Sequence, residues 1–272
     1  MSASTLAQPE RPAYLADTHT GLPMPSRPVF DDPADERRHR KQRLAAALRL
    51  FGKYEFDEGI SGHISVRDPE HPDRFWVNPF GVSFNRVKVR DLICVDHTGT
   101  VVDGRFPVNP SAFVIHSAIH RRTPRADAAA HAHTPHVRAL GSLHRLLEPL
   151  DQESAAFYQD QVLYTDYRGP SISAEQGEDI AEKLGERRAI LLAHHGLITV
   201  GATIEEAVHW FFSYDGCAHT QLLAMAAGRP RALRPAQARA AKDGFGDEQL
   251  GWFSFQLRYQ EITEEQPDLL EE

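Results

Sequence analysis

Several features that mark other protein classes are missing from this 272-residue chain. It has two cysteines, Cys94 and Cys217, both in apolar surroundings, so a disulfide framework is excluded and a reducing cytoplasm is the expected compartment. The net charge of −8 argues against nucleic acid or an anionic membrane as the main partner. No apolar run approaches the ~20 residues of a membrane span, and the first residues lack the apolar stretch of a secretory signal.

Phosphate-binding motifs and internal repeats are missing as well. The chain contains neither GxGxxG nor GxxxxGK followed by Ser or Thr, so the sequence does not support a cradle for nucleotide phosphates. It also has no coiled-coil heptad run. Its length is enough for one large domain or two small ones with a buried core.

The composition divides the chain into three regions. Residues 1–33 are rich in Pro, Ser, Thr and Asp without periodicity, which predicts a disordered or loosely draped N-terminal arm. A helix is expected to begin near Pro33 or Asp35, where acidic residues precede basic ones. Residues 34–228 are expected to form the main domain. Residues 229–272 are expected to form a C-terminal helical extension, with one helix around Glu248–Gln260.

Within residues 34–228, a helix is followed by several strand-like segments, and then strands alternate with helices. The early segments in GISGHISVRDP, FWVNPFG and DLICVD are separated by turn residues and should pair as antiparallel neighbours. The later segments ADAAAHAH, VLYTDY, AILLAH and GLITVG are also expected to form strands, since short apolar runs bounded by turn residues are typical of buried strands. This order predicts a layered α/β domain with a mixed sheet.

Three histidines form the most informative pattern in the chain. His131 and His133 stand one residue apart in DAAAHAHTPH, and in a strand their side chains project from the same face. His195, in AILLAHHGLITVG, can supply a third imidazole from the end of a second strand. Three ligands leave coordination positions open, as a catalytic metal requires. The alternative is a chance pair in a chain of 15 histidines, with His195 as a turn residue.

Three segments together resemble the class II aldolase/adducin family, from about residue 40 to about residue 228. They are GISGHISVRDP with the following NPFG, HSAIHRRTPRADAAAHAHTPH, and LLAHHGLITVG with TIEEAVHWF. The resemblance implies a three-layer α/β/α domain with a mostly antiparallel central sheet. It also implies a homotetramer with active sites near subunit interfaces, and one divalent metal ion held by His131, His133 and His195.

Two departures from the sugar-phosphate aldolases of this family bear on the chemistry. Those enzymes carry a Pro-Ser-Ser-acid segment whose carboxylate stands nineteen residues before the first histidine of the pair, and this chain has Ala112 there. No Asp or Glu occurs from Gly104 to Ala126, and a methyl group can neither bind metal nor move a proton. Pro110 replaces a serine of the phosphate grip, and His63 replaces an asparagine in the early loop.

Members of the adducin-like branch of the family keep the metal-binding histidines but lack the aldolase carboxylate, and this chain shows the same pattern. One group in that branch, the non-haem iron enzymes of aminocoumarin antibiotic pathways, shortens a prenylated 4-hydroxyphenylpyruvate through a mandelate to a benzoate. This chain resembles them in length, in its Ala- and Arg-rich composition and in the missing carboxylate. The favoured hypothesis is therefore an Fe(II) oxygenase or decarboxylase acting on a small aryl 2-oxo or 2-hydroxy acid, whose carboxylate would supply the anionic ligand.

Two other functions stay open. A Zn(II)-dependent aldolase, epimerase or dehydratase would need a proton-transfer group from elsewhere, for which Tyr158 and His116 are candidates. His116 and His120 share a helix face and could instead be buried histidines that orient a ligand. A non-catalytic adducin-like scaffold would be expected to carry a basic tail, whereas this chain ends in EITEEQPDLLEE.

Residues expected to contact the substrate are His63, Ser65, Arg67, Ser111 and His136. The resemblance places His63, Ser65 and Ser111 where relatives hold their substrate. His136 follows the histidine pair closely enough to line the pocket. Arg67 could anchor a carboxylate through two hydrogen bonds, although a surface or interface ion pair is the alternative.

Overall fold

The computed structural model describes residues 25–123, 126–169 and 173–272, which contain eight strands and eight α-helices. The strands are β1 His63–Arg67, β2 Phe75–Val77, β3 Ile93–Val95, β4 Val101–Asp103, β5 Ala128–Ala132, β6 Gln161–Tyr164, β7 Ala189–Leu192 and β8 Gly196–Gly201. The helices are α1 Pro33–Lys53, α2 Pro110–Arg122, α3 Pro135–Ser142, α4 Gln152–Ala155, α5 Ala174–Leu184, α6 Ile204–Ala227, α7 Pro235–Phe245 and α8 Glu248–Glu265.

All eight strands belong to one sheet with the order β4-β3-β2-β1-β5-β8-β7-β6. Neighbouring strands are antiparallel except β6 and β7, which are parallel. Short connections join the antiparallel pairs β1–β2, β3–β4 and β7–β8, whereas the parallel pair is joined through α5, as a parallel crossover requires. The predicted mixed and mostly antiparallel sheet is confirmed.

Helices cover both faces of the sheet. Alternate residues of β5 face opposite sides: Ala128, Ala130 and Ala132 pack in the core under α1 and α6, and Ala129 packs in the core under α2 and α5. This produces the three-layer α/β/α arrangement. By the same alternation His131 lies on the α2 face, two residues after Ala129.

Helix starts follow the capping residues. Asp32 accepts a hydrogen bond from the Ala34 N–H at 2.8 Å, so α1 begins where the sequence predicts. Ser173 and Thr203 cap α5 and α6 in the same way. The C-terminal region holds two helices, α7 and α8, whereas only the second was predicted from the sequence. Of the residues in α7 only Ala238 is buried, so this helix carries little apolar periodicity.

The predicted arm falls partly outside the described residues, which begin at residue 25. Residues 25–32 have no regular structure and lie against α6 and α8. Arg27 forms an ion pair with the buried Glu206, and the Gln249 side chain donates to the Pro25 carbonyl at 3.0 Å. In the described part of the chain, no helix combines the length and apolar character needed to cross a membrane.

Candidate metal centre

The three predicted ligands lie together at one end of the central sheet. His131 is in β5, His133 comes directly after it, and His195 occupies the turn between β7 and β8. Because β8 runs antiparallel to β5, with His131 opposite Ile198, the start of β8 lies beside the end of β5. One ligand atom from each imidazole lies within 4.8 Å of the others, and the Nε2 atoms of His131 and His133 are 2.9 Å apart. Such spacing suits imidazoles that share one ion.

A backbone contact decides which nitrogen of His131 faces the other rings. Its Nδ1 donates to the Leu197 carbonyl at 2.8 Å, so Nε2 carries the lone pair. Burial lowers the pKa of His131 well below its ordinary value and lowers the pKa of His133 and of His195 to about 4. All three rings are therefore neutral at pH 7, the form that binds a metal.

Gly196, directly after His195, lets the two strand ends approach. A Cβ atom at this position would lie 2.6 Å from the Ala132 carbonyl oxygen and 2.7 Å from Cδ2 of His133. Only glycine fits without moving a ligand ring. The sequence analysis did not single out this residue, although a glycine immediately after a candidate ligand was the available signal.

Buried polar side chains on β1 and α2 adjoin the three histidines. His63 pairs with His131 across the two strands, and their ring centroids are 4.7 Å apart. Nδ1 of His63 lies 2.7 Å from Nε2 of His116. The Ser65 hydroxyl oxygen lies 2.5 Å from Nδ1 of His116 and 2.8 Å from Nε2 of His120. These side chains form one continuous chain of hydrogen bonds beneath α2.

Two residues of this hydrogen-bond network had other roles predicted for them. Ser65, predicted to contact substrate, is fully buried, and its hydroxyl contacts two imidazoles. His116 is also fully buried and both of its ring nitrogens are engaged, which leaves neither nitrogen to take a proton from substrate. The reason is depth: Ser65 lies two residues farther along β1 than His63, on the same face, under α2.

Arg67, predicted as a possible carboxylate anchor, has its guanidinium engaged by other groups of the protein. Its Nε donates to Asp127 at 2.9 Å, and its Nη atoms donate to the carbonyls of Pro72 and His120 at 2.9 and 2.6 Å. It lies four residues beyond His63 in β1, about 13 Å away along an extended strand. The guanidinium therefore links the far end of β1 to α2. Its contact with Asp127 is an ion pair, which the sequence analysis named as the alternative to a carboxylate anchor.

Tyr158 lies away from the three histidines. It precedes β6, which runs parallel to β7, and the His195 turn follows the carboxyl end of β7. Tyr158 is therefore at the opposite end of the sheet, where its carbonyl accepts a hydrogen bond from Lys242 at 3.0 Å. Within the described residues of one subunit, this phenol is not beside the centre.

His136 lies in the first turn of α3, three residues after His133. Its Nδ1 is 3.0 Å from a carboxylate oxygen of Asp215, and its ring stacks on His219 with centroids 4.2 Å apart. Asp215 also accepts a hydrogen bond from the Thr134 hydroxyl. This buried carboxylate of α6 thus holds the turn that follows the histidine pair. The sequence analysis missed Asp215; the available signal was an acid within the long apolar stretch of α6.

The start of α2 replaces the aldolase acid with apolar packing. Ala112 is fully buried in a cluster with Phe75, Val77, Ile93 and Val95. Ser111 precedes it and donates its N–H to the Asn109 side chain at 2.9 Å. Among the residues that the structure describes, no carboxylate belongs to the group formed by the three histidines.

Comparisons with known proteins agree with this geometry. The family model described as the class II aldolase and adducin N-terminal domain matches residues 42–222. A Streptomyces roseochromogenus protein named 4-hydroxy-3-prenylphenylpyruvate oxygenase/4-hydroxy-3-prenylbenzoate synthase is 42% identical, over 89% of this chain and 88% of its own length. Decarboxylase NovR of Streptomyces niveus is 41% identical, over 89% of this chain and 90% of its own length.

Solved structures give the same fold. The structure of an L-fuculose 1-phosphate aldolase from Glaciozyma antarctica superposes with a TM-score of 0.85 and 39% identity, covering 90% of this chain and 97% of that one. The family is metal-dependent, in keeping with the histidine group described above. The matched model, the two Streptomyces relatives and this shared fold together show that the chain belongs to the class II aldolase/adducin family.

Proposed function

We propose that this protein is a metal-dependent enzyme that shortens an aryl 2-oxo or 2-hydroxy acid, of the 4-hydroxyphenylpyruvate and mandelate type, by oxidative loss of carbon dioxide in antibiotic biosynthesis. The observation that carries the proposal is the group of three neutral imidazoles with no carboxylate among them. The names of the two Streptomyces relatives, an oxygenase and a decarboxylase, support the same chemistry.

His131, His133 and His195 would hold one divalent ion in this enzyme. The donor set fits, because each ring is neutral and Nδ1 of His131 is already engaged by a backbone carbonyl. Imidazole suits both Fe(II) and Zn(II). Fe(II) is favoured because activation of O2 requires a redox-active metal, which Zn(II) is not. Zn(II) is the alternative.

Charge explains why an acid would bind there. Neutral imidazoles leave the charge of a divalent ion uncompensated, and no protein carboxylate in the described group offsets it. A 2-oxo or 2-hydroxy acid offers a carboxylate and an adjacent oxygen, and so can supply both negative charge and a second ligand atom. The substrate carboxylate would thus take the place of the protein carboxylate that the sugar-phosphate aldolases carry at the position of Ala112.

Atom balance fixes the stoichiometry of the proposed reaction. Conversion of an arylpyruvate to a mandelate takes up one O2 and releases one CO2. Conversion of the mandelate to the benzoate takes up a second O2 and releases CO2 and one water. The measurable prediction is two O2 consumed for each arylpyruvate that reaches the benzoate.

Three of the residues predicted to contact substrate keep that proposed role. His63 adjoins His131, Ser111 lies in the first turn of α2, and His136 follows the histidine pair with a half-buried ring. The resemblance to the family also leads us to propose a homotetramer, and the two buried free cysteines are consistent with a cytoplasmic location.

The test is metal identity together with oxygen uptake. The full chain is purified without oxygen, its bound metal is measured, and O2 uptake is recorded with 4-hydroxyphenylpyruvate and with mandelate. We expect iron-dependent uptake that His131→Ala and His133→Ala abolish. His194→Asn is the matched control, because His194 is exposed, adjoins His195 and has a φ of 59° that asparagine tolerates. Iron-loaded protein that consumes no O2 with either acid would refute the proposal.

A Zn(II)-dependent lyase is the second candidate, favoured by the 39% identity to an L-fuculose 1-phosphate aldolase. Buried Ala112 argues against it, since the proton-transfer acid is missing. Bound zinc, no oxygen uptake and turnover of a hydroxy-carbonyl substrate would favour this candidate. Failure to retain any metal under gentle purification would favour a scaffold.

A further inference from the structure

The buried chain of hydrogen bonds beside the metal centre runs through His63, His116, Ser65 and His120. The hydrogen position at its His120 end is fixed. Nδ1 of His120 lies 3.1 Å from the Ala126 carbonyl oxygen, and a carbonyl can only accept. Nδ1 of His120 must therefore carry the hydrogen, which leaves a lone pair on its Nε2. The Ser65 hydroxyl, 2.8 Å away, then donates to that lone pair.

The same reasoning passes along the remaining links. Because the single Ser65 hydrogen is used on His120, the Ser65 oxygen accepts from Nδ1 of His116. A neutral His116 then has a lone pair on Nε2, which accepts from Nδ1 of His63 at 2.7 Å. His63, His116 and His120 are at most 5% exposed, and in the described part of the chain none of these rings has a carboxylate as a hydrogen-bond partner. Nothing therefore offsets the cost of a buried charge, and each ring is neutral. Each ring thus has one allowed tautomer.

His63 is the open end of this chain. With Nδ1 donating to His116 on α2, its Nε2 carries a lone pair and makes no hydrogen bond within the described residues. The ring lies beside His131 and also interacts electrostatically with His133 and His195. His63 is not in the group whose ligand atoms lie within 4.8 Å of one another, so it stands next to the metal position rather than in it.

We propose that Ser65, His116 and His120 are positioning residues that lock His63 in the Nδ1–H tautomer, so that its Nε2 accepts a hydrogen bond from the 2-hydroxyl, or the enol hydroxyl, of the bound acid. This rests on the proposed function, because the ligand is the aryl acid at the metal. The far end of the chain is a carbonyl, which cannot pass a proton onward, so the chain orients His63 and is not a route to solvent. A lone pair at this point also repels a carboxylate, and thus directs the acid group of the ligand to the metal.

The test uses two acids that differ only in the 2-hydroxyl, mandelate and phenylacetate, binding to the Zn(II)-loaded full chain, which cannot turn them over oxidatively. One hydrogen bond predicts that the wild type prefers mandelate by about tenfold. His120→Phe, whose ring can replace the packing of His120 on Phe75, removes the acceptor of the Ser65 hydroxyl. The donor and acceptor directions along the hydrogen-bond chain can then reverse. We expect the ratio of mandelate affinity to phenylacetate affinity to fall to about one, with zinc affinity and phenylacetate affinity unchanged.

Two further variants separate positioning from stability. Ser65→Ala should also abolish the preference for mandelate, because His116 loses its acceptor. Ser117→Ala is the matched control: Ser117 lies in α2 as His116 does, but its hydroxyl donates to the Val114 carbonyl and is not part of the hydrogen-bond chain, so the preference should remain. An unchanged mandelate preference in both His120→Phe and Ser65→Ala would overturn the proposal.

A spectroscopic measurement decides the tautomers without any ligand. Imidazole nitrogen shifts of ¹⁵N-histidine-labelled, Zn(II)-loaded protein should show His63, His116 and His120 protonated at Nδ1, and the His63 pattern should change in His120→Phe. A wild-type His63 protonated at Nε2 would overturn the lock. If neither mandelate nor phenylacetate binds, the proposed function and the proposed hydroxyl contact are both refuted. The nitrogen shifts would still decide the tautomer of His63.

Discussion

Metal binding should be almost insensitive to acid down to pH 5, because the protein keeps its ligand imidazoles neutral. For three ordinary histidines with a pKa of 6.5, the fraction with every ring neutral falls to about 1 in 3 × 10⁴ at pH 5. In this structure burial lowers the pKa of His133 and of His195 to about 4, and that of His131 further. The corresponding fraction at pH 5 stays at about 0.8.

The assay is a competition titration of Zn(II) against a chromophoric chelator between pH 7.5 and 5. We expect the affinity of the protein to change by less than about twofold after correction for the chelator. A peptide spanning residues 129–135, with the same histidine pair but no burial, is the control and should lose its affinity steeply. A loss of a hundredfold or more by the folded protein would refute the reasoning.

The same pKa shifts predict that metal-free protein loses stability over this range. A histidine whose pKa is lowered by folding contributes stability that is fully present above pH 6.5 and is lost as the pH falls toward the folded pKa. Between pH 7.5 and 5 the loss is about 2 kcal/mol for each of His133 and His195. Urea titrations of metal-free protein at pH 7.5 and 5 measure it, and a free energy of unfolding that does not fall between them would contradict this prediction.

Four substitutions test the rest of the site. Gly196→Ala should weaken Zn(II) binding by tenfold or more, because its Cβ would displace His133, whereas Gly216→Ala, whose Cβ meets nothing within 4 Å, should not. Ala112→Asp should lower the free energy of unfolding by about 3 kcal/mol or more without creating aldolase activity, since the charge would be buried unpaired; a stable variant with aldolase turnover would contradict this. Arg67→Ala should lower the free energy of unfolding by about 1–3 kcal/mol while the KM for the acid stays constant. Tyr158→Phe should leave turnover within about twofold, and a loss of a hundredfold would show that this phenol reaches the centre.

The sequence by itself identified the three histidines that the structure brings together, and it placed the main elements. His131 and His133 share a strand face because side-chain direction alternates with a period of two residues, a local property that sequence displays directly. Apolar runs and capping residues likewise placed seven of the strands and the start of α1. Strand β4 and helix α7 were missed because their side chains are mostly exposed and leave no apolar period.

Only the tertiary structure decided which polar residues meet. Ser65 contacts His116 and His120 across 51 and 55 residues of chain, and the β1–β5 pairing sets His63 against His131. These contacts depend on strand register and helix placement, so spacing along the chain does not reveal them. For the same reason Arg67 and Tyr158, which suited the chemistry by residue type, lie away from the three histidines within one subunit.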